Sequence, residues 1–168
     1  MSLTMYTATV PTCTRALNSL AAILEKASAH AEARKVAPAT LLGTRLYPDM
    51  LPLSMQIQLA NDSARSGAAR LAGVDVPTFE AKDRGFADWI NATRETIAFI
   101  ESLKPALFDG SEDRTVTWQT RSSTKNMQGT PYLFHHVLPN VFFHVTTAYD
   151  ILRQAGLEIG KMDYLGKS

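Results

Sequence analysis

The chain contains a single cysteine, Cys13, so no disulfide can form within it. Its charges nearly cancel, with 17 Lys and Arg against 16 Asp and Glu, which leaves no basic excess for nucleic acid or anionic lipid. No stretch reaches the run of about 18 apolar residues that a membrane-spanning helix requires. We therefore expect a soluble cytoplasmic protein that binds neither nucleic acid nor membrane.

The sequence motifs of several common enzyme classes are also absent. The chain has no glycine-rich phosphate loop, no Cys-x-x-Cys, no Gly-x-Ser-x-Gly and no His-Glu-x-x-His. Nucleotide binding, dithiol redox chemistry and the usual hydrolase mechanisms therefore lose their sequence support. The 168 residues, 45% of them hydrophobic, are enough to bury a core, and we expect residues 1–168 to form a single domain.

Apolar residues recur every three or four positions in four segments, which predicts four long helices. The first apolar stripe runs from Tyr6 to Ala27 and keeps its phase across Pro11. This favours one kinked helix. The alternative is a helix that begins at Pro11, with Thr9 nearby as its cap.

The second and third helices are predicted between turn residues. The apolar stripe of the second covers residues 46–71. Asp49 is expected to be its N-cap, Pro52 to lie in its first turn and Gly73 to end it. The third helix is expected from about residue 82 to residue 103.

A long polar segment separates the third helix from the last. Within it, residues 115–118 alternate as Thr-Val-Thr-Trp, which is typical of either a strand or an extended crossover. The fourth helix is predicted to begin near Pro139 and to stop at Gly156. Together these patterns predict an all-α four-helix bundle with a long crossover before the last helix.

Three of the four histidines, at positions 135, 136 and 144, lie just before or within the last helix. Asn140 and His144 are four residues apart and share a helix face, and His136 joins them if the helix extends further back. Gln56 or Asp49 of the second helix could complete a mixed nitrogen and oxygen site for one divalent ion such as zinc, nickel or manganese. The predicted metal ligands are His144, Asn140, His136 and Gln56.

An alternative to metal binding is a structural role for the same histidine. His144 would then be a buried polar residue hydrogen-bonded to Asn140, Gln56 or a backbone carbonyl. Asp49 and Tyr149 are predicted to line the adjoining pocket, although capping alone explains Asp49 and packing alone explains Tyr149.

The adjacent aromatic residues Phe142 and Phe143 cannot both point into one core. A helix that is apolar this far round is normally buried on more than one side. We therefore predict a homodimer formed through the last helix. The apolar C-terminal segment, residues 159–166, is expected to dock on the bundle or on a partner.

Four segments of the chain resemble an uncharacterised bacterial family. They are LYPDM at 46–50, RLAGV at 70–74, LPNVFFHVTTAY at 138–149 and IGKMDYLG at 159–166. The family is a domain of unknown function grouped with the DinB/YfiT-like metalloenzymes, and the resemblance covers nearly the whole chain. It implies a DinB-like four-helix bundle with a crossover before the last helix, and it suggests a dimer.

The resemblance also implies a kind of site. Better-studied members hold a divalent metal with one histidine early in the second helix and a His-x-x-x-His pair on the last, and they include hydrolases and thiol S-transferases. In this chain the pair aligns with Asn140 and His144, and the second helix has no histidine. The site is therefore degenerate.

Two hypotheses of function follow. In the first, the chain is a divalent-metal-dependent enzyme of the hydrolase or thiol S-transferase type with a degenerate metal site. In the second, it is a non-catalytic homodimeric bundle that has lost the metal and binds a small molecule or serves a structural role.

Overall fold

The structure is a computed structural model that describes residues 3–78, 85–120 and 122–166. In chain order, these residues form α1 (Met5–Ala33), α2 (Pro38–Leu42), α3 (Leu53–Ala72), α4 (Phe86–Ser102), a 3₁₀ turn (Pro105–Phe108), β1 (Thr115–Gln119), β2 (Thr124–Gln128), α5 (Gly129–Tyr132), a π turn (Leu133–Val137), α6 (Leu138–Gln154) and α7 (Lys161–Leu165). The long helices α1, α3, α4 and α6 pack around one hydrophobic core. None of the described helices is long and apolar enough to cross a membrane.

The described chain is mostly helical, as predicted, but it is not purely α. The strands β1 and β2 pair antiparallel, with Thr115 opposite Gln128 and Gln119 opposite Thr124. Val116 is buried and Trp118 is half-buried, and alternation places both on the same face of the hairpin. The strand interpretation of residues 115–118 is therefore confirmed, and the crossover before the last helix contains a β-hairpin.

Helix α1 runs through Pro11, so the alternative of a helix that begins at this proline is wrong. Thr4, rather than Thr9, is the cap. The backbone N–H of Thr7 donates to Oγ1 of Thr4 at 3.1 Å, and the N–H of Thr4 donates to Oγ1 of Thr7 at 2.8 Å. This reciprocal pair satisfies two N–H groups that the first turn leaves without helical partners.

Helix α3 begins at Leu53, so the predicted N-cap at Asp49 is wrong. Pro52 occupies the N-cap position in an extended conformation rather than lying in the first turn. A residue that precedes proline is disfavoured in the helical region, which keeps Leu51 and the residues before it outside the helix. The predicted stop at Gly73 is confirmed by its left-handed conformation, with φ of 70°.

Helix α4 begins at Phe86 after Gly85 and ends at Ser102. Its predicted beginning, residues 82–84, lies outside the described residues. Its predicted end at residue 103 is one residue beyond the observed last residue, which is within the uncertainty of helix boundaries.

The last long helix, α6, begins at Leu138, which confirms the predicted start near Pro139. α5 and the π turn precede it without a break, so the helical backbone extends back to residue 129. Pro139 has no N–H to bond to the carbonyl of His135, four residues earlier, and the wider π turn accommodates this gap. The helical backbone therefore includes His136, as the predicted site required.

Two glycines bring this helix close to its neighbours. A Cβ at Gly67 of α3 would lie 2.4 Å from Cγ1 of Val137, so only glycine permits this approach. A Cβ at Gly129 would lie 1.8 Å from the carbonyl oxygen of Ser111. The contact at Gly67 restricts how α3 can slide past the π turn and α6. This close packing helps to hold Gln56 of α3 opposite His144 of α6.

The C-terminal segment docks on α1, which is one of the two predicted alternatives. Nε of Arg15 donates to the carbonyl of Leu165 at 2.9 Å, and Nζ of Lys26 pairs with Oδ1 of Asp163 at 2.6 Å. The exposed ion pair adds little stability by itself.

Candidate functional site

The side chains of His144 and Gln56 meet between α6 and α3. Nδ1 of His144 lies 2.8 Å from Oε1 of Gln56, whose side chain is only 2% exposed. Nε2 of Gln56 donates to the carbonyl of Leu51 at 3.1 Å, which fixes the orientation of the amide. Because an amide oxygen only accepts, Nδ1 must carry the proton of the imidazole.

The opposite ring nitrogen of His144 therefore has a lone pair. Nε2 has no hydrogen-bond partner among the described residues. Burial lowers the pKa of His144 below its ordinary value of 6.5, because desolvation disfavours the charged imidazole. The lowered pKa favours the neutral imidazole, and the residue is only half-buried.

Asn140 is turned away from this pair. Its Nδ2 donates to the backbone carbonyl of His136 at 2.6 Å, one turn back along the helix. The amide nitrogen is therefore engaged within its own helix, and only the oxygen Oδ1 remains for another partner.

His136 lies in a different environment from His144. Its ring centroid is 4.7 Å from that of Trp118 and 5.4 Å from that of Tyr132. Burial lowers the pKa of His136, and the nearby charge of Arg70 lowers it further. Eight residues of helix separate the backbones of the two histidines by about 12 Å, and the His136 ring packs against Trp118 and Tyr132.

The predicted pocket residues lie apart from His144. Asp49 is exposed in the loop before α3. Tyr149 packs edge-on against Tyr164 of α7, with ring centroids 6.1 Å apart. Among the described residues, no hydrogen bond or ring contact joins Asp49 or Tyr149 to His144.

The sequence did not reveal a second cluster at the hairpin. Nη1 of Arg70, in the last turn of α3, donates to the hydroxyl of Tyr132 at 3.0 Å, and the ring of Trp118 lies 5.0 Å from that of Tyr132. Arg70 falls in a segment that carries the family resemblance. Because 62 residues separate Arg70 from Tyr132, no spacing in the sequence predicts that their side chains meet.

Two cavities lie away from both histidines. One of about 540 Å³ opens at the start of α1 and includes Tyr6, Phe108 and Phe134 in its lining. Another, of about 370 Å³, lies between α1, Phe142 and α7. Both volumes suit a small molecule. Neither cavity is lined by His144, which lies where α6 contacts α3 through Gln56.

The likeness to known proteins extends over almost the whole chain. The model of a family described as a domain of unknown function (DUF1993) matches residues 5–165. A crystal structure described as that of a DinB family member protein from Shewanella denitrificans has 36% sequence identity and a TM-score of 0.89. That match covers 97% of this chain and 92% of the other. No curated protein matches this chain.

Proposed function

Since this chain belongs to the DUF1993 family of unknown function and has a DinB-like fold, we propose that it is a small-molecule enzyme in which His144 is the general base. The observation that carries the proposal is the hydrogen bond from Nδ1 of His144 to Oε1 of Gln56, at 2.8 Å. This bond orients the ring, fixes its tautomer and leaves the lone pair of Nε2 for a substrate proton. In catalytic histidines, a partner that is bonded to Nδ1 commonly orients the imidazole, and Nε2 accepts the proton.

The partner on Nδ1 sets the strength of this base. Gln56 offers a neutral amide oxygen, which stabilises an imidazolium less than a carboxylate would. Burial weakens the base further by lowering the pKa of His144. A weak base suits a thiol, with an ordinary pKa of about 8.5, better than water at about 15.7. Of the two proposed reaction types, thiol S-transfer therefore fits this histidine better than hydrolysis.

The donor set does not fit the three-histidine metal centre that the family resemblance implies. Among the described residues, no three His, Cys, Asp or Glu side chains come together. Of the predicted ligands, Gln56 is engaged by Nδ1 of His144, the Asn140 amide nitrogen bonds to a backbone carbonyl, and the His136 ring packs against other aromatic rings. The mechanism that we propose therefore rests on His144 without a resident metal.

The test is an activity screen with His144→Ala and, as a matched control, His135→Ala at an exposed position. A low-molecular-weight thiol with an aryl halide tests thiol transfer, and an activated ester tests hydrolysis. We expect thiol transfer that is lost in His144→Ala, kept in His135→Ala and unchanged by a chelator. Full activity in His144→Ala would contradict the proposal. Loss of activity with a chelator, restored by a divalent metal, would favour a metal-dependent enzyme instead.

A non-catalytic homodimer is the second candidate, and a specific observation favours it. Phe142 and Phe143 on α6 are 39% and 55% exposed, an unusual exposure for adjacent large apolar side chains. A second copy that covers this face would bury them. Sedimentation equilibrium of the wild type and of Phe143→Ser tests the idea. A dimer weakened by the substitution supports it, whereas a wild-type monomer at high concentration refutes it.

A further inference from the structure

The cluster around Tyr132 is held by three parts of the fold. Arg70 comes from the last turn of α3, Trp118 from β1, and Tyr132 and His136 from the helix that contains the π turn. The rings of Trp118, Tyr132 and His136 lie within 5.4 Å of one another, centroid to centroid. π turns within helices are frequent at functional sites.

Several hydrogen-bond donors of this cluster have no acceptor among the described residues. Arg70 has five N–H donors and no acceptor, and its one hydrogen bond among the described residues goes to the Tyr132 hydroxyl. The phenol is only 1% exposed, and burial raises its pKa, so it keeps its proton. Among the described residues, no hydrogen bond gives the remaining N–H groups of Arg70 or the Tyr132 O–H an acceptor.

The positive charge of Arg70 is likewise uncompensated within the described chain. The ion pairs found there join Lys26 to Asp163, Arg65 to Asp62 and Arg94 to Glu25. None of them involves Arg70, although its side chain is partly buried. A partly buried guanidinium without a carboxylate is unfavourable unless another anion or the solvent compensates it.

We propose that Arg70, Tyr132 and His136 form a binding site for an oxyanion, the carboxylate or phosphate group of a small ligand, with the Trp118 ring beside it. The forked donors of Arg70 match two oxygens of such a group, and the Tyr132 O–H supplies a further donor. Arg70, Trp118 and His136 are each half-buried, so part of the cluster is exposed to solvent. The site is about 12 Å along the helix from His144, so it does not depend on the proposed general base.

His136 provides a readout of this site. The charge of Arg70 lowers the pKa of His136, so an anion that neutralises Arg70 should raise it. By linkage, the anion should then bind more tightly as the pH falls and His136 takes up a proton. Arg70 is the charged group that acts on His136 within the described residues.

The experiment is a titration of the full chain at constant ionic strength, with inorganic phosphate in one arm and acetate in the other. Calorimetry measures binding, and proton NMR follows the His136 ring. Arg70→Gln removes the donors, and Arg34→Gln, at an exposed position, is the charge-matched control. We expect saturable binding of at least one anion and a raised pKa of His136. We also expect at least a tenfold loss in Arg70→Gln and no loss in Arg34→Gln.

Two further variants guard against misfolding of Arg70→Gln. Tyr132→Phe keeps the ring and the charge of the cluster but removes one donor, and should weaken binding by about tenfold. His144→Ala should leave anion binding unchanged. Preference for phosphate would identify a phosphate ester as the ligand, and preference for acetate a carboxylate. Absence of saturable binding in both arms would overturn the proposal, as would unchanged binding in folded Arg70→Gln or in Tyr132→Phe.

Discussion

Replacing His144 with alanine tests the hydrogen bond that defines the candidate site. The substitution leaves Oε1 of Gln56 without its partner, in a side chain that is only 2% exposed. A buried acceptor left unsatisfied costs about 1–3 kcal/mol. For a domain of this size, that corresponds to a fall in Tm of roughly 2–12 °C. Urea denaturation followed by circular dichroism measures the loss directly.

The partner substitution completes a double-mutant cycle. Gln56→Met preserves the length of the side chain but strands Nδ1 of His144 and the carbonyl of Leu51, and should also cost about 1–3 kcal/mol. Because the two single variants break the same bond, the double variant should lose less than their sum, by about 0.5–1.5 kcal/mol.

The control for this cycle is a histidine outside the hydrogen bond between His144 and Gln56. His135→Ala, at an exposed position in the π turn that precedes α6, should change the free energy of unfolding by no more than about 0.5 kcal/mol. A coupling energy between His144 and Gln56 within about 0.3 kcal/mol of zero would show that the bond does not form in solution. The argument from a fixed tautomer would then fail.

Three further predictions concern packing, pH and reactivity. Gly67→Ala should lower the free energy of unfolding by about 1–3 kcal/mol, because its Cβ would lie 2.4 Å from Cγ1 of Val137. Val137→Ala in the same chain should recover part of that loss in chemical denaturation. The folded-state pKa values of His136 and His144 are lowered, so the unfolded chain binds protons first as the pH falls. Stability should therefore be greater above the ordinary histidine pKa and decline between about pH 7 and pH 5, less so in His144→Asn. Cys13 is fully buried, and burial raises its pKa to about 12, so a thiol reagent should modify it only after unfolding.

The sequence predicted the long helices because their apolar periodicity is strong, and it located the C-terminal stop at Gly73 because that signal is local. It misplaced the start of α3, because Pro52 lies just before that helix, and it did not predict the π turn and short helix that precede Pro139. Proline at a first turn and proline inside a widened helix look alike in sequence. The tertiary packing around them distinguishes the two cases.

The candidate site was predicted only in part. Helical spacing and the family resemblance singled out His144 and Gln56, and the structure places them in contact. Spacing alone could not show that the Asn140 amide bonds to its own helix, since a side chain four residues from a histidine has several rotamers. The pairing of Arg70 with Tyr132 depends on how α3 meets the last long helix. No local pattern encodes that contact.

The central claim is that His144 is neutral, carries its proton on Nδ1 and presents Nε2 as a lone pair. Proton–nitrogen correlation NMR of the histidine side chains, recorded against pH and assigned with His144→Ala, measures all three properties. We predict a protonated Nδ1, an unprotonated Nε2 and a pKa below the ordinary 6.5. A proton on Nε2, or a pKa at or above that value, would contradict the claim.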